Sequence, residues 1–345
     1  MNIRIRPLIA AGLAGLALLV ASCSKTEKKE VNLFGWSEYV PQAVLDQFEQ
    51  ETGIKVNYTT YASNEEMLSK LLGGAAEFDL VQPSEYVVEA LIAKGKLEAL
   101  DFANIPNFKN VAPEFLRQPH DPEQKFSVPY MAGTVGIVVN TEKIKDPIVG
   151  MDDVFSGKYA NRIVTLNDNR EILTWALRSV GRDINQITPE AIAAARPVLA
   201  KWLPQIKVYD SDSPKTALLN GDVDIGVVWS GEAALLYQED KKFAYVLPQE
   251  GAHLWIDSLV IPKGAPHKAD AEKFINFILR PEISVLISAD FPYTNPNAEA
   301  RKLLSPEQLG NPASYPPPGK LEAFRDIGKA AAAVDKLITD LKGGS

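Results

Sequence analysis

The sequence has one cysteine, Cys23, and three histidines, His120, His253 and His267, in 345 residues. A lone cysteine excludes an internal disulfide and any cysteine-rich zinc site. Three scattered histidines leave little material for imidazole catalysis or metal ligation. Basic charge is not in excess either: 36 Lys and Arg against 44 Asp and Glu give a formal charge of −8. That balance argues against nucleic acid as a partner, because gripping a phosphate backbone takes basic patches that release counterions. A Walker A loop, a dinucleotide glycine fingerprint and zinc-ligand spacings are all missing, which removes the commoner nucleotide and metal enzymes. There is no internal repeat, and no low-complexity tract beyond Pro316-Pro317-Pro318. What is present is a globular composition, 46% hydrophobic and 23% charged, at a length suited to two domains of ordinary size.

The N-terminus reads as an export segment. Arg4 and Arg6 precede an unbroken run of 13 apolar or glycine residues, Leu8 to Val20, which is short for a bilayer span. Val20-Ala21-Ser22-Cys23 then resembles the lipobox of bacterial lipoproteins, in which the cysteine is acylated and becomes the new N-terminus. Residues 1–22 are therefore expected to be a lipoprotein signal peptide, and the polar stretch 23–30 a tether anchored by lipid on Cys23. A plain secretory signal with an incidental cysteine is the competing reading. Removing 1–22 takes away two arginines and leaves 34 − 44 = −10. No other segment is apolar enough to cross a membrane.

Downstream, short apolar runs alternate with amphipathic stretches, the pattern of an α/β fold. Val31–Trp36, Lys55–Tyr58 and Asp79–Val81 read as strands. Between them lie a helix after Pro41 with Val44, Leu45 and Phe48 on one face, closed by Gly53, and a helix Met67–Leu72 opened by the capping box Ser63-Asn64-Glu65-Glu66. Further strands are expected at Val135–Val139, Arg162–Leu166, Ile206–Tyr209, Ile225–Trp229 and Trp255–Ile261. Further helices are expected at Glu171–Val180, Ala269–Leu279 and from about Leu321 to Leu341. Two α/β lobes are the simplest account, and ligands of such sheets bind where strands end.

The strand ends are rich in aromatic rings and carboxylates: Trp36-Ser37-Glu38-Tyr39, Ser84-Glu85-Tyr86, Asp168 with Glu171, Trp229, Trp255 with Asp257, and Tyr293. Rings interspersed with acids suit a cation, since an ammonium over an aromatic face gains roughly 1–2 kcal/mol when desolvated. Charge-assisted hydrogen bonds add about 1.5–3 kcal/mol each. Taken singly, each residue has a plainer role. Trp36, Trp229 and Trp255 suit a core, and the spacing of Asp168 and Glu171 favours a helix cap. Asp257, inside the apolar run Leu254–Ile261, is harder to dismiss, because a carboxylate there needs a partner.

Nine segments in order carry a resemblance to a known family. Among them are FGWSEYVPQAVLDQFEQETGIKVNY, FDLVQPSEYVV, SVPYMAGTVGIVVN, NDNREIL, GVVWSG, LWIDSLVIP and YTNPNAEARKLLSPE. The chain resembles the spermidine/putrescine-binding proteins of bacterial polyamine ABC importers from about Val31 through Leu341. The resemblance implies a two-lobed periplasmic-binding-protein type II fold with discontinuous lobes, 31–134 plus 256–301 and 135–255 plus 302–345, closing on the ligand about a hinge.

By the same resemblance Trp36, Ser37 and Tyr39 contact the polyamine from one loop, and Ser84 and Tyr86 from a second. Asp168 and Glu171 take a terminal amine. Trp229, Trp255 and Tyr293 wall the methylene chain, and Asp257 takes the secondary amine. Retained Trp255 and Asp257 favour spermidine. The family's glutamine near the C-terminal helix is replaced by Phe324 or Arg325. Glu85 and Glu232 stand where relatives carry small or neutral residues, and solvated surface acids are the commoner reading of such positions.

The expected protein is thus an extracytoplasmic solute-binding lipoprotein and not an enzyme. Its partners are the polyamine, ABC permease membrane subunits and the membrane that holds its lipid. No cofactor or metal is expected, and a monomer is. A polyamine-sensing receptor docked to a membrane signalling protein is the alternative. A carboxylate-pair hydrolase acting on amines stays open on composition alone. An anionic or metal ligand would call for Arg or His clusters at the strand ends, where Arg170 stands alone.

Overall fold

The computed structural model describes residues 29–74 and 77–343. The expected export segment 1–22, Cys23 and most of the tether lie outside the described residues. The first half of the fold comprises β1 (Glu30–Trp36), α1 (Gln42–Thr52), β2 (Lys55–Tyr61), α2 (Asn64–Gly73), β3 (Leu80–Val81) and α3 (Glu85–Ala93). There follow β4 (Ser127–Asn140), α4 (Met151–Val154), β5 (Ile163–Thr165), α5 (Asn169–Ser179), α6 (Pro189–Trp202), β6 (Ile206–Tyr209), α7 (Lys215–Leu219), β7 (Ile225–Trp229), α8 (Ser230–Glu239) and β8 (Phe243–Val246). The chain ends with β9 (Ala252–Val260), α9 (Lys268–Ile278), α10 (Pro281–Asp290), α11 (Ala298–Arg301), α12 (Pro306–Leu309), β10 (Leu321–Glu322) and α13 (Ala330–Gly343).

The strands form two lobes that share β4. Strand order is β2-β1-β3-β9-β4-β7-β5-β6, with β8 also paired to β4 and β10 to β9. In the first lobe β1 runs parallel to β2 and β3, while β9 runs antiparallel to β3 and β4. In the second, β7 runs parallel to β5, and β5 to β6. Strand β4 changes partner in mid-course: Ser127 to Thr134 pair with β9, and Val135 to Val139 pair with β7. A strand that serves two sheets in succession passes directly between lobes. All its 14 residues are buried, which is why no polar alternation marks it in the sequence.

Apolar faces fill both lobes. Phe48 of α1 packs against Phe274 and Phe277 of α9, at 5.0 and 5.2 Å between ring centres. In the second lobe Phe155 stacks on Trp202 at 4.8 Å. Helix α1 ends where Gly53 adopts φ 69° and donates its N–H to Glu49, a left-handed cap that only glycine takes without strain. Helix α2 begins with Ser63 Oγ accepting from Glu66 N–H, as the capping pattern requires. The Glu66 carboxylate reaches one residue further back, to Ala62 N–H.

The C-terminal expectation needs correcting. The helix begins at Ala330, not near Leu321, and Leu321–Glu322 joins β9 as a short parallel strand. The backbone N–H groups that a helix would use are taken by side chains: Phe324 N–H donates to Glu85, Arg325 N–H to Asn185 and Asp326 N–H to Glu89. Among the described residues no helix is long and apolar enough to cross a membrane.

Candidate functional site

Strand β9 supplies the centre of the site. Side chains on a strand alternate between faces, so His253, Trp255 and Asp257 share one face. Asp257 is 3% exposed. Its Oδ2 accepts from Tyr39 Oη and its Oδ1 from Ser84 Oγ, both at 2.7 Å. Tyr39 reaches Asp257 because the chain reverses after β1, with Glu38 in the left-handed region at φ 53°. Tyr130 Oη holds that turn by donating to the Tyr39 carbonyl. Ser84 precedes α3, but its hydroxyl goes to Asp257 and not to the helix end. Asn64 joins the second contact loop together, donating to Ser84 Oγ at 3.1 Å and Tyr86 Oη at 3.0 Å.

The expected rings form one connected wall. Trp36 lies 6.4 Å from Tyr39, Tyr39 5.8 Å from Tyr293, Tyr293 5.0 Å from Trp255, and Trp255 6.4 Å from Trp229. Two glycines let these rings seat. A Cβ on Gly231 would fall 2.3 Å from the Tyr293 ring, and one on Gly133 2.3 Å from the Trp255 ring. Trp229 is fixed through Nε1 to the Ser211 carbonyl at 3.0 Å. The indole N–H groups of Trp36 and Trp255 are buried and have no protein partner among the described residues.

The acids fall into two classes. Among the described residues Asp257 is hydrogen-bonded only by hydroxyls; burial pushes its carboxyl up to about 7, with the Ser84 and Tyr39 hydrogen bonds pulling back. Asp168 accepts from Glu171 N–H at 2.9 Å, so the capping role holds. Among the described residues it too has no ion pair, and burial followed by the neighbouring Glu171 charge lifts it to about 6. Glu171 behaves differently from the expected amine acceptor. Its Oε1 is 2.5 Å from His253 Nδ1, while its buried Oε2 has no protein partner among the described residues.

Glu85 and Glu232 are both buried, against the surface reading of the sequence. Glu85 accepts from His253, Ile256 N–H and Phe324 N–H. Glu232 is paired with Lys215 at 2.8 Å. Ser37 turns outward and donates to Asp212 at 3.1 Å. Lys215 also stands 3.8 Å from Glu38, so hydroxyl and charged contacts cross between the lobes beside the ring wall.

Sequence reasoning missed His253, Asn64, Tyr130 and Tyr61, whose ring lies 4.6 Å from that of Trp36 and whose hydroxyl donates to the Gln82 carbonyl. The alternation His253, Trp255, Asp257 was the available signal for the first. Asn64 was read as part of a helix cap, and nothing local distinguishes that role from its bonds to Ser84 and Tyr86. The described residues contain no group of three or more His, Cys, Asp or Glu arranged to hold a metal ion. With a wall of rings and two uncompensated carboxylates, the arrangement favours a cationic ligand that also carries apolar surface.

The profile of the bacterial extracellular solute-binding proteins matches residues 43–313. A spermidine/putrescine-binding periplasmic protein of Salmonella typhimurium is 39% identical over 347 residues, covering 98% of each chain. Among solved structures, the spermidine/putrescine ABC transporter substrate-binding protein of Streptococcus pneumoniae superposes with a TM-score of 0.80 at 34% identity, over 91% of this chain and 99% of that one. A lipoprotein of Treponema pallidum superposes with a TM-score of 0.79 at 28% identity, over 91% and 99%.

Proposed function

The chain belongs to the bacterial extracellular solute-binding proteins, and from that premise we propose that it captures a linear polyamine, spermidine or putrescine, and hands it to an ABC permease. One observation carries the choice of ligand: Asp257, a buried carboxylate met only by hydroxyls, stands beside the ring wall. An uncompensated buried charge is costly, and an ammonium group removes that cost while the rings cover the methylenes. The names of the Salmonella and Streptococcus relatives point to the same ligand class and to a transporter. Asp168 and Glu171 would take a terminal amine, the loop of Trp36, Ser37 and Tyr39 and that of Ser84 and Tyr86 would contact the polyamine, and Trp229, Trp255 and Tyr293 would form the walls.

The lobes are 31–134 plus 256–301 and 135–255 plus 302–345, a division supported by the change of partner in β4 after Thr134. Closure about the crossing strands would bury the ligand. Export, acylation of Cys23 and a tether through residue 30 would hold a monomer in the periplasm or at the outer face of the cytoplasmic membrane. The lipoprotein character of the Treponema relative supports that arrangement.

Calorimetry with putrescine, cadaverine, spermidine and spermine tests the ligand class. Saturable heat and a raised melting temperature are expected with these amines and with neither neutral nor anionic solutes; the reverse pattern refutes the proposal. Trp255→Ala should then weaken the best amine by about tenfold, the worth of a desolvated cation–ring contact. Its far-ultraviolet circular dichroism should be unchanged, and unaltered affinity would remove the ring wall from the binding account.

A further inference from the structure

Three acids and two basic groups are packed where α5, β9 and the returning C-terminal segment meet. His253 Nδ1 lies 2.5 Å from Glu171 Oε1, and its Nε2 lies 2.9 Å from Glu85 Oε1. A neutral imidazole has one N–H, so facing two carboxylates at once takes the doubly protonated ring. That ring stacks on Phe324, 3.5 Å between centres and 11° from parallel. The Arg170 guanidinium sits 4.6 Å from the centre of the same Phe324 ring. It is held there by the Ile184 carbonyl and Asn185 Oδ1.

The charges can be counted. Glu85, Glu171 and Asp168 contribute three negatives, and His253 and Arg170 two positives, so this end of the site carries one net negative charge. Glu85 is spent, because its two oxygens also accept the N–H groups of Ile256 and Phe324. Glu171 Oε2 and Asp168 share the remainder. Asp257 supplies a second negative charge, hydrogen-bonded among the described residues to hydroxyls alone and within the fields of Glu85 and His253. Glu232 is neutralised by Lys215, and Glu38, 3.8 Å from the same ammonium and 65% exposed, is screened by solvent. Asp168 also interacts with Glu65, beside which stands Asp335, and with half-buried Lys342; Glu65 and Asp335 are exposed, so water screens them.

We propose that His253 and Arg170 are resident cations that set the net charge of the site at minus two, so that it selects linear diamines over triamines and tetraamines. The proposal rests on the polyamine reading above and reverses the preference for spermidine drawn from Trp255 and Asp257. A third ammonium would find no unpaired carboxylate and would approach two fixed positive groups, a repulsive element against longer amines. Phe324 holds both cations by their faces, which gives a physical role to the residue that departs from the family pattern.

The test is the ratio of putrescine to spermidine affinity, measured by calorimetry on the full chain at pH 7.5 and compared across variants. The wild-type protein should favour putrescine. His253→Gln and Arg170→Gln each remove one positive charge and should each shift the ratio toward spermidine by about tenfold, the worth of one charge-assisted contact. The pair Glu85→Gln with His253→Gln removes one charge of each sign and should retain the wild-type ratio. Should His253→Gln fold poorly by circular dichroism, Arg170→Gln still decides the matter. A wild-type preference for spermidine, or an unchanged ratio in the folded single variants, overturns the charge-setting role and leaves polyamine binding intact. Absence of heat with every amine refutes the polyamine reading itself, and this inference with it.

Discussion

Replacing Asp257 with asparagine should weaken binding of the preferred amine by about a hundredfold, because a charge-assisted contact worth roughly 1.5–3 kcal/mol becomes a neutral one inside a buried site. The same change should leave the ligand-free protein at least as stable as before. Asp257 is 3% exposed and its carboxyl is pushed up to about 7 by burial, so ionising it is a cost that the folded chain bears. Asparagine occupies nearly the same volume, and its carbonyl oxygen can still accept from Tyr39 or Ser84. Loss of affinity without loss of stability separates a ligand-facing acid from a structural one. A structural acid, of the kind seen in Asp121, would show the opposite result: Asp121 accepts the N–H groups of Lys125, Phe126 and Ser127, and removing it would unfix that loop. Titration calorimetry gives the first quantity and thermal melting the second. An unchanged dissociation constant would refute the role assigned to Asp257, and a large drop in melting temperature would recast it as a structural residue.

How far the sequence foretold this arrangement differs from element to element. Trp255 and Asp257 stood out because an acid inside an apolar strand is chemically anomalous. The structure explains the anomaly by bringing Tyr39 from one loop and Ser84 from another onto its two oxygens. The opening strands and helices were legible because caps and periodicity are local: Ser63 and Gly53 act where the sequence places them. Strand β4 was seen only in its second half, since a strand buried on both faces has no alternating pattern to betray its length. Leu321–Asp326 was read as helix because its composition permits one, and the competing hydrogen bonds come from Glu85, Glu89 and Asn185, more than 130 residues away in the chain. Separations of 82 and 168 residues likewise hid the His253 pairings with Glu171 and Glu85. Nothing local to Glu85 or Glu171 indicates a shared imidazolium, and burial of Glu85 becomes reasonable only once that partner is in place.

Affinity should fall steeply with acidity, by roughly a thousandfold between pH 8 and pH 5 if the amine needs both Asp257 and Asp168 ionised. Their carboxyls are held at about 7 and about 6 in the ligand-free protein, so at pH 5 both are protonated and each must surrender a proton before an ammonium can be paired. Above pH 7 the dependence should flatten, until the amines lose their own protons near the ordinary range of about 10. Stability of the unliganded chain should move the other way. A carboxyl raised above its unfolded value stabilises the fold below that value, and this contribution disappears as pH climbs through the folded one. Asp168 and Asp257 therefore make the empty protein less stable between about pH 4 and pH 7. His253, raised to about 9 by Glu171 and Glu85 against the effect of burial, adds stability at low pH that is lost between about 6.5 and 9. The ligand-induced rise in melting temperature should consequently be larger at pH 8 than at pH 5, and binding at pH 6 should release protons, seen as a calorimetric enthalpy that changes with buffer ionisation heat. Asp257→Asn should make the pH profile shallower, leaving the single step that belongs to Asp168. A flat affinity profile from pH 8 to pH 5 in the wild-type protein would show that the ligand does not draw its binding from these two acids.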